Sequence, residues 1–298
     1  MTSVSAPALH QTTHPLKGVM LIACAVAIFA CIDAMTKHLA TAWNVPLVVA
    51  VRYFVNLLAL TAVYAPSHGR TLVATNRTGM VMLRALCLSA ASLFAGLALT
   101  RMPVAETISI IFLAPFVVMI LAVPLLGEKV TIPGWIAAAT GFCGVLLIAN
   151  PGNGLDPVGV VHAALCASVT VGYYLLSRLL ASTESTMAML FHTALVGAVL
   201  FGFYLPWSLH GPVPDALDLG LFALIGLAAT LGHFLFTAAF RLAPASILAP
   251  INYLHLLWAG LIGWLVFDHV PTQTSIIGML LVGFAGAASA MLSRKKAS

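Results

Sequence analysis

Two stretches decide the fold: PVAETISIIFLAPFVVMILAVPLLGEKVT at residues 103–131 and PASILAPINYLHLLWAGLIGWLVFDHVPT at residues 244–272. Each runs from a proline to a threonine over the same length. Each holds about twenty predominantly apolar residues, enough for an α-helix to cross the hydrocarbon core of a bilayer at about 1.5 Å per residue. They lie 141 residues apart.

The same offset pairs Gly18-Val19 with Gly159-Val160, Thr36-Lys37-His38-Leu39-Ala40 with Ser177-Arg178-Leu179-Leu180-Ala181, Gly79 with Gly220, Leu86 with Leu227, Pro103 with Pro244 and Thr131 with Thr272. With one further residue inserted, Gly141-Phe142-Cys143-Gly144 matches Gly283-Phe284-Ala285-Gly286. Single identities are weak in apolar sequence, but one register held across coinciding boundaries marks an internal repeat. Apolar runs between charges, prolines and glycines predict spans near 16–38, 46–65, 79–100, 103–126, 131–149, 157–180, 186–206, 217–240, 244–267 and 272–292. The expected fold is therefore an all-α membrane protein of ten transmembrane helices, in repeats of five over 16–149 and 157–292. Five is odd, so successive copies are inverted, the plan of many secondary transporters with a substrate site near the midplane between repeats. Residues 1–15 are expected to be a disordered cytoplasmic start, the Asn150 to Pro157 segment a turn-rich outer loop, and 293–298 a basic cytoplasmic tail.

Composition agrees. Of 298 residues 61% are hydrophobic and 7% charged, and the mean hydropathy is +1.07, against roughly 25% charged in soluble domains. No room remains for a separate soluble domain. An N-in, C-in topology places ten of the thirteen Lys and Arg residues at inner ends (Lys17, Arg70, Arg77, Arg84, Lys129, Arg178, Arg241, Arg294, Lys295, Lys296) and only Lys37, Arg52 and Arg101 toward the outside, as the positive-inside rule requires. The net charge of +5 is thus a matter of topology and not of nucleic acid. Arg84 is expected to snorkel to the inner interface. Trp43, Trp207 and Trp264 are expected in an outer aromatic belt and Trp135 in an inner one. The cysteines Cys24, Cys31, Cys87, Cys143 and Cys166 are odd in number and lack CxxC spacing, which argues for packing roles and against a disulfide framework or a metal site.

The two repeats of five spans, Pro103 and Pro244 opening the fourth span of each, and the Leu126-Gly127-Glu128-Lys129-Val130-Thr131 signature resemble the ten-helix branch of the drug/metabolite transporter superfamily, with paired EamA-type domains. Within it the chain is similar to bacterial exporters of aromatic and other amino acids that also handle methyl viologen. The resemblance covers residues 16–292 and implies a secondary exporter of small metabolites in a bacterial inner membrane, with amino acids as substrates, no cofactor, and the bilayer as its surroundings; a monomer is compatible with it. The second repeat departs from the pattern at Phe267-Asp268-His269-Val270-Pro271-Thr272, where Asp268 and His269 stand in place of a Gly-Glu pair; Asp268 is read as a helix cap.

Polar groups inside hydrocarbon are costly, so each is a site candidate. Thr230, His233 and Thr237 share one face of the eighth span; Asn252, Tyr253, His255 and Trp258 lie on the ninth; Ser89, Ser92, Gly96 and Thr100 on the third; Glu106, Ser109 and Phe112 on the fourth. The resemblance implies a cavity among these four helices, with the first, second, sixth and seventh moving around it. His233, Asn252, Glu106 and Ser92, with His255 and Thr237, offer hydrogen bonds or charge to a zwitterionic substrate; Phe112, Tyr253 and Trp258 offer ring faces. Against this, Ser/Thr/Gly stripes mark close helix packing. Glu106 has a rival reading as a salt bridge with Arg101 or Lys37, and Asp33 as a pair with Arg52 or Lys37. Pro115 and Pro250 remove helical bonds where a gate could bend. A membrane-embedded enzyme, a channel, or a carrier of another metabolite class are the rivals. No HExxH, Ser-His-Asp set or nucleotide-binding loop is present, so no catalytic residue is assigned.

Overall fold

The computed structural model describes residues 14–128, 130–149, 155–209 and 211–295; Lys129, His210, the linker residues 150–154, the first thirteen residues and the last three lie outside them. Within these limits the regular structure is helical throughout: α1 (Pro15–Leu39), α2 (Val45–His68), α3 (Thr78–Leu99), α4 (Val104–Ile111), α5 (Leu113–Leu126), α6 (Ile132–Ala149), α7 (Pro157–Leu180), α8 (Thr186–Tyr204), α9 (Ala216–Leu242), α10 (Ala245–Asn252), α11 (Leu254–Phe267) and α12 (Gln273–Lys295). With α4–α5 and α10–α11 taken as one segment each, eight are long and apolar enough to cross a membrane, and the apolar helices Ile132–Ile148 and Gln273–Ala285 are shorter.

Local chemistry sets the ends. Asp156 accepts from Gly159 N–H at 2.7 Å and Ser185 from Ala188 N–H at 3.0 Å, while Asp215 and Asp218 form a reciprocal capping box. The expected fourth and ninth spans are each broken, at Phe112 and at Tyr253, which occupy equivalent places in the repeat. Pro115 explains the first break: it offers no N–H to Ile111 and its ring crowds that carbonyl, so α4 stops there. At the second, Tyr253 N–H tightens onto Pro250 C=O at 3.3 Å and Leu256 N–H onto Tyr253 C=O at 3.0 Å, a local 3₁₀ geometry.

The packing obeys a two-fold relation. α1 lies along α9 as α3 lies along α7; α6 pairs with α12 and α2 with α8; α1 borders α10–α11 as α7 borders α4–α5. Exchanging the halves maps every one of these contacts onto another or onto itself. Glycine makes the closest of them possible: a Cβ on Gly144 would meet Gly278 O at 2.6 Å, and one on Gly278 would meet Gly144 O at the same distance. Outward-facing Leu58, Ile132, Phe203 and Leu280 are among many exposed large apolar residues, a surface suited to lipid and not to water. Trp207 and Trp264 are exposed. Trp43 departs from the expected belt: it is buried, its indole N–H donating to Pro212 C=O at 3.3 Å, because it packs edge-on against Phe222.

Candidate functional site

A cavity of about 130 Å³ lies where α1, α2, α3, α4, α7, α9 and α11 meet. Equivalent positions of the two repeats face it together: Phe29 with Thr170, Ile32 with Tyr173, Asp33 with Tyr174, Ser92 with His233, and Ala95 with Phe236. The cavity therefore sits on the two-fold relation itself. Two charged side chains line it. Asp33, from α1, meets His255, from α11, at 2.7 Å between Oδ2 and Nε2, and Phe112 packs edge-on against that imidazole at 5.2 Å. Arg52, from α2, lies over the ring of Tyr53 at 5.3 Å, and no carboxylate pairs with it among the described residues. The remaining wall is aromatic: Phe29 lies 4.8 Å from His233, and Tyr174 lies 5.0 Å from Phe236.

Hydrogen bonds fix these groups in turn. Ser92 donates to Leu88 C=O at 2.8 Å, which leaves Tyr53 O–H as donor to Ser92 Oγ at 3.0 Å. Arg84 lies just behind the wall and does not snorkel as expected. Its side chain is wholly buried, donating Nε to Ser177 at 2.8 Å, Nη1 to Thr193 at 2.9 Å and Met189 C=O at 3.4 Å, and Nη2 to Thr237 at 3.0 Å and Tyr173 at 3.2 Å. The side-by-side packing of α3 on α7 and α8 walls it off from the interface. The Tyr173 hydroxyl, accepting from Arg84, also meets His233 Nδ1 at 3.3 Å.

Of the residues singled out in sequence, Ser92, Phe112, His233 and His255 line the cavity. Thr237 sits behind it as an acceptor for Arg84. Asn252 is buried and donates to Leu248 C=O at 3.1 Å within its own helix, and Tyr253 is buried with its hydroxyl unpartnered, its ring filling the space over Gly141. Trp258 is 42% exposed on the outside of α11. Pro115 and Pro250 are buried in α5 and α10. Glu106 lies elsewhere and pairs with neither Arg101 nor Lys37. Asp33 pairs with neither Arg52 nor Lys37 but with His255. Beside the third, fourth, eighth and ninth spans, α1, α2 and α7 line this cavity with Asp33, Arg52, Tyr173 and Tyr174. The repeat holds a signal for these: Asp33 matches Tyr174 in the register that matches Ser92 with His233.

The repeat also relates two charged junctions. After α5, Glu128 accepts from Arg178 Nε at 3.0 Å and from the first N–H groups of α10, Ala245 at 3.1 Å and Ser246 at 2.9 Å, while Arg178 Nη1 donates to Phe240 C=O at 2.9 Å. After α11, the equivalent residue is His269, 3.3 Å from Glu106. Lys37, the equivalent of Arg178, donates to Leu99 C=O at 3.1 Å and Met102 C=O at 2.9 Å. This second junction opens on a cavity of about 320 Å³. Arg101 and Asp156 pair at its rim at 3.4 Å; the Gly159 N–H, with Arg101, holds the Asp156 carboxyl below the usual range.

The sequence profile of the EamA-like transporter family matches residues 16–150 and 157–291. The S-adenosylmethionine uptake transporter of Rickettsia felis is 26% identical over 251 residues, 84% of each chain. The riboflavin transporter of Brucella anthropi is 27% identical over 270 residues, 88% of this chain and 94% of that one. A protein of known crystal structure, 18% identical, shares the fold with a TM-score of 0.75 over 95% of this chain and 99% of its own.

Proposed function

This chain belongs to the EamA-like transporter family, and from that premise we propose that its central cavity carries a small metabolite with an α-amino-acid head and a flat ring, by alternating access across a bacterial inner membrane. The observation that carries this reading is that one aromatic-walled cavity is lined both by Asp33 and by Arg52, which has no carboxylate partner among the described residues. A carboxylate for an ammonium, a guanidinium for a carboxylate and ring faces between them are what such a molecule needs. Aromatic amino acids carry these groups, and so does S-adenosylmethionine, the substrate in one relative's name, which joins the same zwitterionic head to a purine and needs the cavity to widen well beyond its 130 Å³. Methyl viologen ranks below them, because a dication meets the unpaired guanidinium. The flat ring system of riboflavin suits the walls but has no amino-acid head for the charged pair.

Ten spans with both termini cytoplasmic are part of the proposal, supported by the lysine and arginine distribution and by the two shorter apolar helices completing the count. Export is the direction the family resemblance implies, whereas one relative is named for uptake. A carrier without a nucleotide-binding loop runs down whichever gradient it is given, so exchange measures the function without presupposing direction.

The test is counterflow of radiolabelled phenylalanine and S-adenosylmethionine in liposomes containing the purified protein. Arg52→Gln is expected to lower exchange of both by about 10- to 100-fold, the worth of roughly 1.5–3 kcal/mol for a hydrogen bond to a charged group. Asp33→Asn should do the same. Exchange indifferent to both substitutions sinks the assignment of this cavity.

A further inference from the structure

The internal repeat points to a second ligand site. In the first junction the carboxylate of Glu128 is held by three donors: Arg178 Nε, Ala245 N–H and Ser246 N–H. The repeat equivalents of these donors are Lys37, Val104 N–H and Ala105 N–H, and all three residues line the 320 Å³ cavity. Lys37 is held in the same way as Arg178, through the carbonyl of Leu99 where Arg178 uses that of Phe240, and its ammonium has a third proton left over. The acid that should complete the arrangement is absent, because His269 stands where Glu128 would. Among the described residues no protein group accepts from Val104 or Ala105 N–H. The first junction thus displays, with its own side chain, the group that the second is shaped to receive.

Glu106 narrows the ligand further. Its carboxylate lines the cavity, with Oε1 facing His269 at 3.3 Å and Oε2 accepting from no protein group among the described residues, so it has acceptor capacity to spare. A bare anion would meet the charge of Glu106, whereas a molecule with an ammonium beside its carboxylate satisfies both. We infer that the cavity between Lys37, the first turn of α4, Glu106 and His269 is a second amino-acid site, at the mouth of the pathway, in which the carboxylate of an α-amino acid takes the place of the missing Glu128 counterpart and its ammonium meets Glu106. Lys37 and the α4 N-terminus favour the carboxylate by charge and dipole together. The inference rests on the zwitterion reading of the central cavity, for which this site would be the staging post.

Equilibrium binding of radiolabelled phenylalanine to the purified full-length protein tests it, with 3-phenylpropionate and phenethylamine as competitors. Wild type should bind two molecules per chain and Arg52→Gln one. His269→Glu supplies the missing carboxylate from the protein itself and should weaken the second site at least tenfold, while His269→Gln, which supplies none, should keep it. Neither competitor alone should displace phenylalanine from this site as well as phenylalanine does. One site, lost in Arg52→Gln and untouched in His269→Glu, overturns this inference and leaves the central cavity standing. One site with the reverse behaviour overturns the central assignment and upholds this one. Two sites that both survive His269→Glu overturn the inference, and no binding in wild type overturns both readings.

Discussion

The junction between α5 and α6 and the junction between α11 and α12 descend from one repeat position and have opposite characters. At the first, Glu128 and Arg178 are 5% and 8% exposed and pair with each other. At the second, His269 is 45% exposed, the hydrogen bonds of Lys37 among the described residues go to backbone carbonyls, and a cavity stands open. The backbones agree closely: Gly127 and Asp268, equivalent residues, both end their helices in the left-handed region, at φ 65° and φ 52°. One difference lies at the next position, an acid (Glu128) in one copy and an imidazole (His269) in the other; the cation beside it also differs, Arg178 against Lys37. A carboxylate can accept from two N–H groups and a guanidinium at once, and a histidine cannot. Inverted repeats give a carrier two similar junctions, and here Glu128 closes the first on the α10 N-terminus while the second keeps an open cavity.

The comparison is tested hardest by breaking each lock. Arg178→Met leaves Glu128 charged and buried, and should cost about 3–5 kcal/mol of unfolding free energy. Lys37→Met removes a half-buried ammonium whose acceptors can turn to the water of the cavity, and should cost only about 1 kcal/mol. Titration with denaturing detergent, followed by tryptophan fluorescence, gives both values; equal losses would mean that the ends are not sealed differently. A second contrast concerns the helix contacts beside the locks. A Cβ on Gly18 would meet Ala243 Cβ at 2.8 Å and Ala239 O at 3.2 Å, groups fixed to the backbone, whereas one on the equivalent Gly159 would meet chiefly Met102, Cγ at 2.8 Å and Sδ at 3.1 Å, in a side chain that can move, with Arg101 Cβ at 3.1 Å as its one backbone-fixed contact. Gly18→Ala should therefore destabilise by about 1–2 kcal/mol, overpacking outweighing the better helix propensity of alanine. Gly159→Ala should stay within about 0.5 kcal/mol of wild type, because the two effects nearly cancel.

Much of this architecture is legible in the amino-acid sequence. Prolines, charges and one constant offset place the helices to within a few residues, because a chain that buries its backbone polar groups in lipid has few ways to punctuate itself. The repeat even aligns the two helix breaks, Phe112 and Tyr253, though it does not show that the helices part there. The cavity is only half legible. Depth along a span can be read from sequence, but rotation about its axis and the choice of neighbour cannot. Depth alone places Asp33 near Lys37 and Arg52, yet the packing of α1 against α11 delivers it to His255. Trp258, three residues beyond His255, falls on the outer face of the same helix. Arg84 is the hardest of all, since the hydroxyls that hold it come from Ser177, Thr193 and Thr237 on three other helices, and nothing local to Arg84 announces them.

A further small effect isolates the backbone from the charge. Asp268 holds φ 52° with a side chain, among the described residues, in neither a hydrogen bond nor an ion pair, while Gly127 holds φ 65° without a Cβ. A left-handed residue with a Cβ carries strain of about 1–2 kcal/mol, and glycine relieves it at a cost of about 0.5–1 kcal/mol in unfolded-chain entropy. Asp268→Gly should thus raise the unfolding free energy by about 0.5–1 kcal/mol, while leaving the phenylalanine stoichiometry of the neighbouring cavity unchanged. A fall in stability would show that the Asp268 carboxylate contributes more than its strained backbone costs. The Asp268 side chain would then join His269 and Lys37 among the differences that account for the open end.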